Sequence, residues 1–185
     1  MGDYDYWVIK TDSIGNIEWQ NTIGGDYDDY FDEIIPMPID STYLVTGYSK
    51  SGISGDKTDS VGSTDYWVVK LDSIGNIIWE QTYGGTKTEY LHGGASITQD
   101  NGFIVNGASN SGISGDKTET VCGDPTTYDI WIVKLNCINQ TYYADIDGDG
   151  FGNMLTTQFA CYQPIGYVLD NTDCDDLNAL IYPGA

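Results

Sequence analysis

The residues best suited to chemistry lie near the C-terminal end, in Asp145-Ile-Asp147-Gly-Asp149-Gly150-Phe151-Gly-Asn153. Calcium takes six to eight hard oxygen ligands, and alternating carboxylates on a tight loop supply them. Numbered along a twelve-residue calcium loop, Asp145, Asp147 and Asp149 fill positions one, three and five. Gly150 gives the sharp turn at six, and Phe151 offers its carbonyl at seven. Position twelve should be a bidentate Glu but is Thr156, which leaves the loop one strong ligand short. A second acidic cluster, Asp173-Cys174-Asp175-Asp176, can repair the deficit. The bland alternative is a solvated acidic turn, and crowding five or more carboxylates without a cation works against it through repulsion.

Residues 137–185 hold seven aspartates and no lysine, so this segment differs in kind from what precedes it. Four cysteines, Cys122, Cys137, Cys161 and Cys174, fall in the last third of the chain and can pair in three ways. Zinc-type CxxC spacing is absent, and one histidine cannot complete such a site, so disulfides and an oxidising compartment are expected. A Cys161–Cys174 bridge would hold the second acidic cluster near the first loop. Cys122 and Cys137 flank a tryptophan-bearing strand and are read as the other pair. The string from YYADIDGDGFGN to ACYQPIGYVLDNTDCDDLNALIYPGA resembles the metal-binding motif family of bacterial surface proteins, and is similar in style to thrombospondin type 3 calcium repeats. The resemblance implies calcium at Asp145, Asp147, Asp149, Phe151 and some of Asp173, Asp175 and Asp176. The expected role of the ion is structural, because a short segment with few apolar residues needs staples.

The elements upstream are organised by a repeat. Asp5-Tyr-Trp-Val-Ile-Lys-Thr-Asp-Ser-Ile-Gly-Asn-Ile-Glu-Trp19 returns as Asp65-Tyr-Trp-Val-Val-Lys-Leu-Asp-Ser-Ile-Gly-Asn-Ile-Ile-Trp79, an offset of 60 residues. Both copies run on to a glycine pair, Gly24-Gly25 and Gly84-Gly85, and a third opens at Asp129-Ile-Trp-Ile-Val-Lys-Leu-Asn136. Ser51-Gly-Ile-Ser-Gly-Asp-Lys-Thr58 recurs unchanged at 111–118. Each unit reads as four short strands, because β-branched and aromatic runs alternate with Asp/Asn/Gly turns. Strands are expected at 6–10, 17–22, 31–35, 43–48, 66–71, 77–83, 95–98 and 103–108, and no stretch carries a helical period. Four strands per unit are what a propeller blade contains. The pattern DYWVVKLDSIGNIIWEQTYGG followed by DNGFIVNGAS resembles the propeller-like repeat family of secreted bacterial surface proteins, over residues 3–136. It implies that 3–25 are the last two strands of one blade, 26–85 a complete blade and 86–136 three strands of another. The expected fold is therefore all-β: about two and a half four-stranded propeller-type blades over 1–136, then a loop-rich calcium module over 137–185. Propellers close with four to eight blades. Further blades upstream, or assembly of copies, would be needed to cover the remaining faces, and the first is preferred.

Composition narrows the function. Seven lysines, no arginine and 28 acidic residues give a net charge of −21, which repels nucleic acid and anionic membranes. Fifteen tyrosines and five tryptophans mark a folded rather than a disordered acidic chain. No run of about 18 apolar residues would insert in a membrane. Met1-Gly2-Asp3 lacks the basic start of a signal peptide, so a mature product or a fragment of a longer secreted chain is expected. No nucleophile, base or cofactor motif emerges; His92 reads as a turn residue, and the chain is expected not to be an enzyme. Repetition of Trp7, Trp67 and Trp131 at one strand position, and of Trp19 and Trp79 on the next, points to packing over sugar stacking. Asp12-Ser13, Asp40-Ser41, Asp59-Ser60 and Asp72-Ser73 fit a bacterial O-glycan sequon, although turn chemistry alone explains them; Asn139-Gln-Thr141 fits an N-glycan sequon. The reading is a secreted or cell-surface structural or adhesive protein with calcium as its cofactor. The alternatives are a carbohydrate-binding segment accessory to a hydrolase, and a subunit of a self-assembling extracellular filament. Expected partners are calcium and either surface glycans or other copies of the chain.

Overall fold

The computed structural model describes residues 2–37, 41–100, 102–136, 140–160, 164 and 166–184. The chain is all-β, with no helix among these residues, and divides into two compact units, Met1–Leu135 and Asn136–Ala185. No helix of the described residues is long and apolar enough to cross a membrane.

The first unit contains three antiparallel sheets. The first pairs β1 (Tyr6–Thr11) with β2 (Ile17–Ile23). The second comprises β3 (Asp29–Met37), β4 (Thr42–Ser49), β5 (Asp65–Leu71) and β6 (Ile77–Tyr83), in that spatial order. In the third, β9 (Phe103–Ser109) lies between β10 (Asp129–Leu135) on one side and two short strands, β7 (Glu89–Tyr90) and β8 (Ala95–Ile97), on the other. Most strands reach a residue or two beyond the expected bounds, and β7 has no counterpart among the expected strands. Its sheet edge is split at Leu91-His92-Gly93-Gly94, where Gly94 takes φ +80°. Carboxylates of the second sheet hold this break open: Asp32 Oδ2 accepts from Gly94 N (3.1 Å) and Glu33 Oε2 from Ala95 N (2.7 Å).

Asp-Ser-Ile-Gly-Asn builds the same turn twice. Asp12 Oδ1 accepts from Ile14 N and Asn16 N, and Asp72 Oδ1 from Ile74 N and Asn76 N, all at 2.9 Å. Gly15 and Gly75 take φ near +90° (91° and 88°), a region that favours glycine. The register slips by a residue beside each turn, at Lys10/Thr11 and Lys70/Leu71, as a β-bulge does. The turns at Asp40-Ser41 and Asp100-Asn101-Gly102 lie partly outside the described residues; Thr98 N donates to Gly102 O across the latter (2.9 Å).

Alternation along the strands decides how the sheets stack. Every residue of β5 is buried, because the middle sheet has a neighbour on both faces. Tyr6, Val8 and Ile23 of the first sheet pack on Val45, Trp67, Val69 and Leu71 of the second. The opposite face of the second sheet, with Leu44, Tyr66 and Val68, packs on Phe103 and Val105 of the third, beside Trp131 and Val133. The same ring contact sits in both interfaces: Tyr6 lies 5.1 Å from Trp67 and Tyr66 lies 5.2 Å from Trp131. A Cβ on Gly47 would meet Tyr6 Oη at 2.5 Å, and one on Gly107 would meet Tyr66 Oη at 2.8 Å, so glycine opposite each tryptophan makes room for the tyrosine.

The repeated Ser-Gly-Ile-Ser-Gly-Asp-Lys-Thr loops fasten onto the glycine pairs. Gly24 N donates to Asp56 Oδ2 (3.1 Å) while Asp56 N donates to Gly24 O (3.0 Å). Gly84 and Asp116 repeat the exchange at 3.0 and 2.8 Å. Each loop buries its lysine. Lys57 Nζ donates to Asp59 O (2.6 Å) and Lys117 Nζ to Ser109 Oγ (2.9 Å). Burial depresses the Lys57 pKa, against the opposing pull of Asp65, Glu80, Asp29 and Asp59.

Because Trp67 is fully buried while Trp7 is 66% exposed, Trp67→Ala is expected to cost about 3–5 kcal/mol. The matching Trp7→Ala should stay within about 0.5 kcal/mol. Urea unfolding of the two variants followed by tyrosine fluorescence measures the difference, and equal losses would contradict the stacking described.

Candidate metal centre

The second unit is a small sheet in the order β12-β11-β13, formed by β11 (Gln140–Ala144), β12 (Asn153–Ala160) and β13 (Tyr167–Val168). Residues 145–152 close the β11–β12 hairpin, and Gly148 and Gly150 turn it with φ of +79° and +93°. Gly152 is required by contact: a Cβ there would lie 2.7 Å from Tyr143 Cβ and 2.8 Å from Asp170 O. Tyr182 stacks on Phe151 (5.7 Å, 5° between planes), which fixes the tail against the loop.

The loop is wound around its own carboxylates. Asp145 Oδ1 accepts from Gly148 N (2.8 Å) and Asp149 N (3.1 Å), and its Oδ2 accepts from Gly150 N (3.1 Å). Asp147 Oδ1 accepts from Asp149 N (3.3 Å), and Asp149 Oδ1 from Phe151 N (2.9 Å). The second acidic stretch is brought up by backbone pairing. Asp173 N donates to Gly152 O (3.2 Å), and Asn153 bridges to Thr172. Asp176 Oδ1 then accepts from Ile146 N at 2.8 Å, and Asp173 Oδ1 from Asp175 N at 2.9 Å.

Asp145 thus spends both oxygens on backbone, and Asp147, Asp149, Asp173 and Asp176 spend one each. In those four the other is left over. Oδ2 of Asp147, Asp149, Asp173 and Asp176 are all buried without a hydrogen-bond partner, and Asp176 itself is only 6% exposed. Ligand oxygens of Asp145, Asp147 and Asp149 lie within 4.8 Å of one another, as do those of Asp147, Asp173 and Asp176, so Asp147 belongs to both groups. Burial first, then the neighbouring Asp149, Asp173 and Asp145, raise the Asp147 pKa. Burying unpaired carboxylates side by side is costly. A divalent cation between them removes that cost, and an all-oxygen set of this kind suits calcium or magnesium over softer metals.

Of the residues singled out by sequence, Asp145, Asp147, Asp149, Asp173 and Asp176 converge. Asp175 does not join either group. It is exposed and serves the turn, its carbonyl accepting from Leu177 N (2.7 Å) and Asn178 N (2.9 Å). Phe151 contributes its amide to Asp149 and its ring to Tyr182. Cys137 and Cys161, one partner of each expected bridge, lie outside the described residues, as does Asn139 of the sequon; Cys122 and Cys174 are exposed, and no disulfide joins them to another described residue. Ser13, Ser41 and Ser73 are exposed and Ser60 half-buried.

Elsewhere the residues considered for other chemistry have structural surroundings. Trp67 is enclosed and Trp131 partly so, and the tryptophans do not form one exposed surface. His92 is exposed, with its ring 5.0 Å from Tyr48 and 5.7 Å from Tyr90. No family model matches the chain. No curated protein matches it either.

The geometry separates the two neighbours Asp175 and Asp176. For calcium held by these oxygens, Asp176→Asn is expected to weaken binding by about 10–100-fold, the range produced even by losing outer partners of metal ligands. Asp175→Asn should leave it within about threefold, since its carboxylate is outside the cluster. Isothermal titration of both variants with calcium reads the contrast.

Proposed function

We propose that Asn136–Ala185 is a calcium-stabilised structural module, carried by an array of propeller-type blades in a secreted or cell-surface protein with a structural or adhesive role. The observation that carries the reading is the set of four inward carboxylate oxygens, each buried and without a partner. The chemistry of the donors supports calcium. All are oxygens from loop positions, and among the described residues neither histidine nor cysteine takes part. A stapling role fits the module's thin apolar content, since Leu155, Leu169, Leu177 and Leu180 are all exposed. An ion bound by residues from both ends of the segment would do for this unit what a core does for the other.

The blade reading is supported by the four-stranded antiparallel second sheet, the 60-residue repeat and the face-to-face stacking of successive sheets. Resemblance of residues 3–136 to the propeller-like repeats of bacterial surface proteins, and of 142–185 to their metal-binding motif, favours the extracellular setting. Disulfides from Cys161 to Cys174 and from Cys122 to Cys137 belong to the same proposal.

The test is the full chain melted in chelator, in calcium and in magnesium. Extracellular calcium modules bind at about 10⁻⁴ to 10⁻³ M. At about 10 mM calcium, linkage then stabilises the second unit by about 1.4–2.7 kcal/mol. A second transition should rise in calcium, less in magnesium, and stay fixed in Asp147→Asn. Identical melts in all three conditions, with no terbium luminescence sensitised by the nearby aromatic rings, would refute calcium binding.

A further inference from the structure

The two internal interfaces of the first unit have a direction. In each, the tyrosine-bearing face of one sheet lies on the tryptophan-bearing face of the next: Tyr6 on Trp67, then Tyr66 on Trp131. At the two ends of the stack one face of each kind is left over. On the first sheet it is the tryptophan-type face, with Trp7 66%, Ile9 39% and Ile17 56% exposed. On the third it is the tyrosine-type face, with Ile130 82% and Ile132 61% exposed at the positions of Tyr66 and Val68. The enclosed counterparts Trp67, Val69, Tyr66 and Val68 are all 0% exposed.

Charge distinguishes these faces from the rest of the surface. In a chain with 28 acidic residues, Trp7, Ile9 and Thr11 are paired across the sheet with Thr22, Gln20 and Ile17, none of them charged. Ile130 and Ile132 pair with Ala108 and Asn106, again without a carboxylate. The nearest charge on the second face, Lys134 at the next exposed position of β10, is paired with Asp100 (2.9 Å), and apolar patches of this kind on an otherwise acidic surface mark contact sites. The partner each one fits is defined inside the molecule. What covers a tryptophan-type face is a tyrosine-type face, and the protein exposes one of each.

We propose that the chain associates head to tail with copies of itself, the Ile130/Ile132 face of one copy packing on the Trp7/Ile9 face of the next. Such a contact is heterologous: it joins two different surfaces, so each added copy presents a fresh face. It continues the internal stacking and does not rest on the calcium reading. The net charge of −21 opposes it, so association strengthens as salt screens the repulsion.

Sedimentation of the full chain over rising concentration and salt, in chelator to remove bridging by cations, is the measurement. Wild type should form species beyond the monomer that grow with salt. Ile130→Glu and Trp7→Glu change exposed side chains, and circular dichroism checks that each still folds. Each variant alone should lose association by about tenfold or more. An equimolar mixture of the two should recover a dimer and stop there, because each brings one intact face. A wild type that stays monomeric throughout overturns the proposal. So does either variant associating alone as well as wild type, or a mixture that recovers nothing. None of these results bears on the melts in calcium, so the two readings fail separately.

Discussion

A sheet with apolar side chains on both faces is held in water only by a neighbour on each side. The first unit meets this requirement fully only in its middle sheet, where all of β5 is buried. Its outer sheets each give one face to that centre and keep the other in solvent. Two features of the repeat follow from the need to bring faces close: glycine opposite Trp67 and Trp131, and a tyrosine laid over each of those rings. In the second unit the balance differs. There the apolar residues are mostly outside, and the forces to be reconciled are electrostatic, with carboxylates packed closer than their charges favour.

Much of the strand pattern was legible in the sequence because its signals are local. Asp-Ser-Ile-Gly-Asn announces its turn through side chains that bond their own backbone a few residues on, and the structure uses Asp12 and Asp72 in that way. The β-branched and aromatic runs around Trp67 and Phe103, bounded by turn residues, mark strands directly. The short β7 was not legible. It has two residues, and its existence depends on Ser109 and Ala108 across the sheet. The break after it depends on Asp32 and Glu33, some 60 positions earlier, which no local pattern reveals. Nor could a loop reading of Ser-Gly-Ile-Ser-Gly-Asp-Lys-Thr foresee lysines shut away from water.

At the candidate site the same division holds. Alternating aspartates in the first loop point to a cation by spacing alone. Which members of Asp173-Cys174-Asp175-Asp176 face that loop is a tertiary matter, decided by where β11 and the 172–153 bridge place the chain. Adjacent residues then diverge: Asp176 turns in to bond Ile146, while Asp175 stays in solvent. The partnerless oxygens are likewise invisible to sequence, since they are defined by what the backbone has not used.

The buried lysines have a consequence for survival among proteases. The chain has no arginine, so its seven lysines are the only places where an enzyme of tryptic specificity can cut. Such an enzyme must draw the basic side chain into a pocket along with the extended backbone around it. Lys57, Lys70 and Lys117 are enclosed in the fold, and Lys10, Lys50 and Lys134 are tied to carboxylates within or beside strands. Lys87 remains, exposed in the turn between β6 and β7 with its Nζ donating to Pro125 O (3.1 Å), so the folded first unit offers such an enzyme this one loop before any other place to grip.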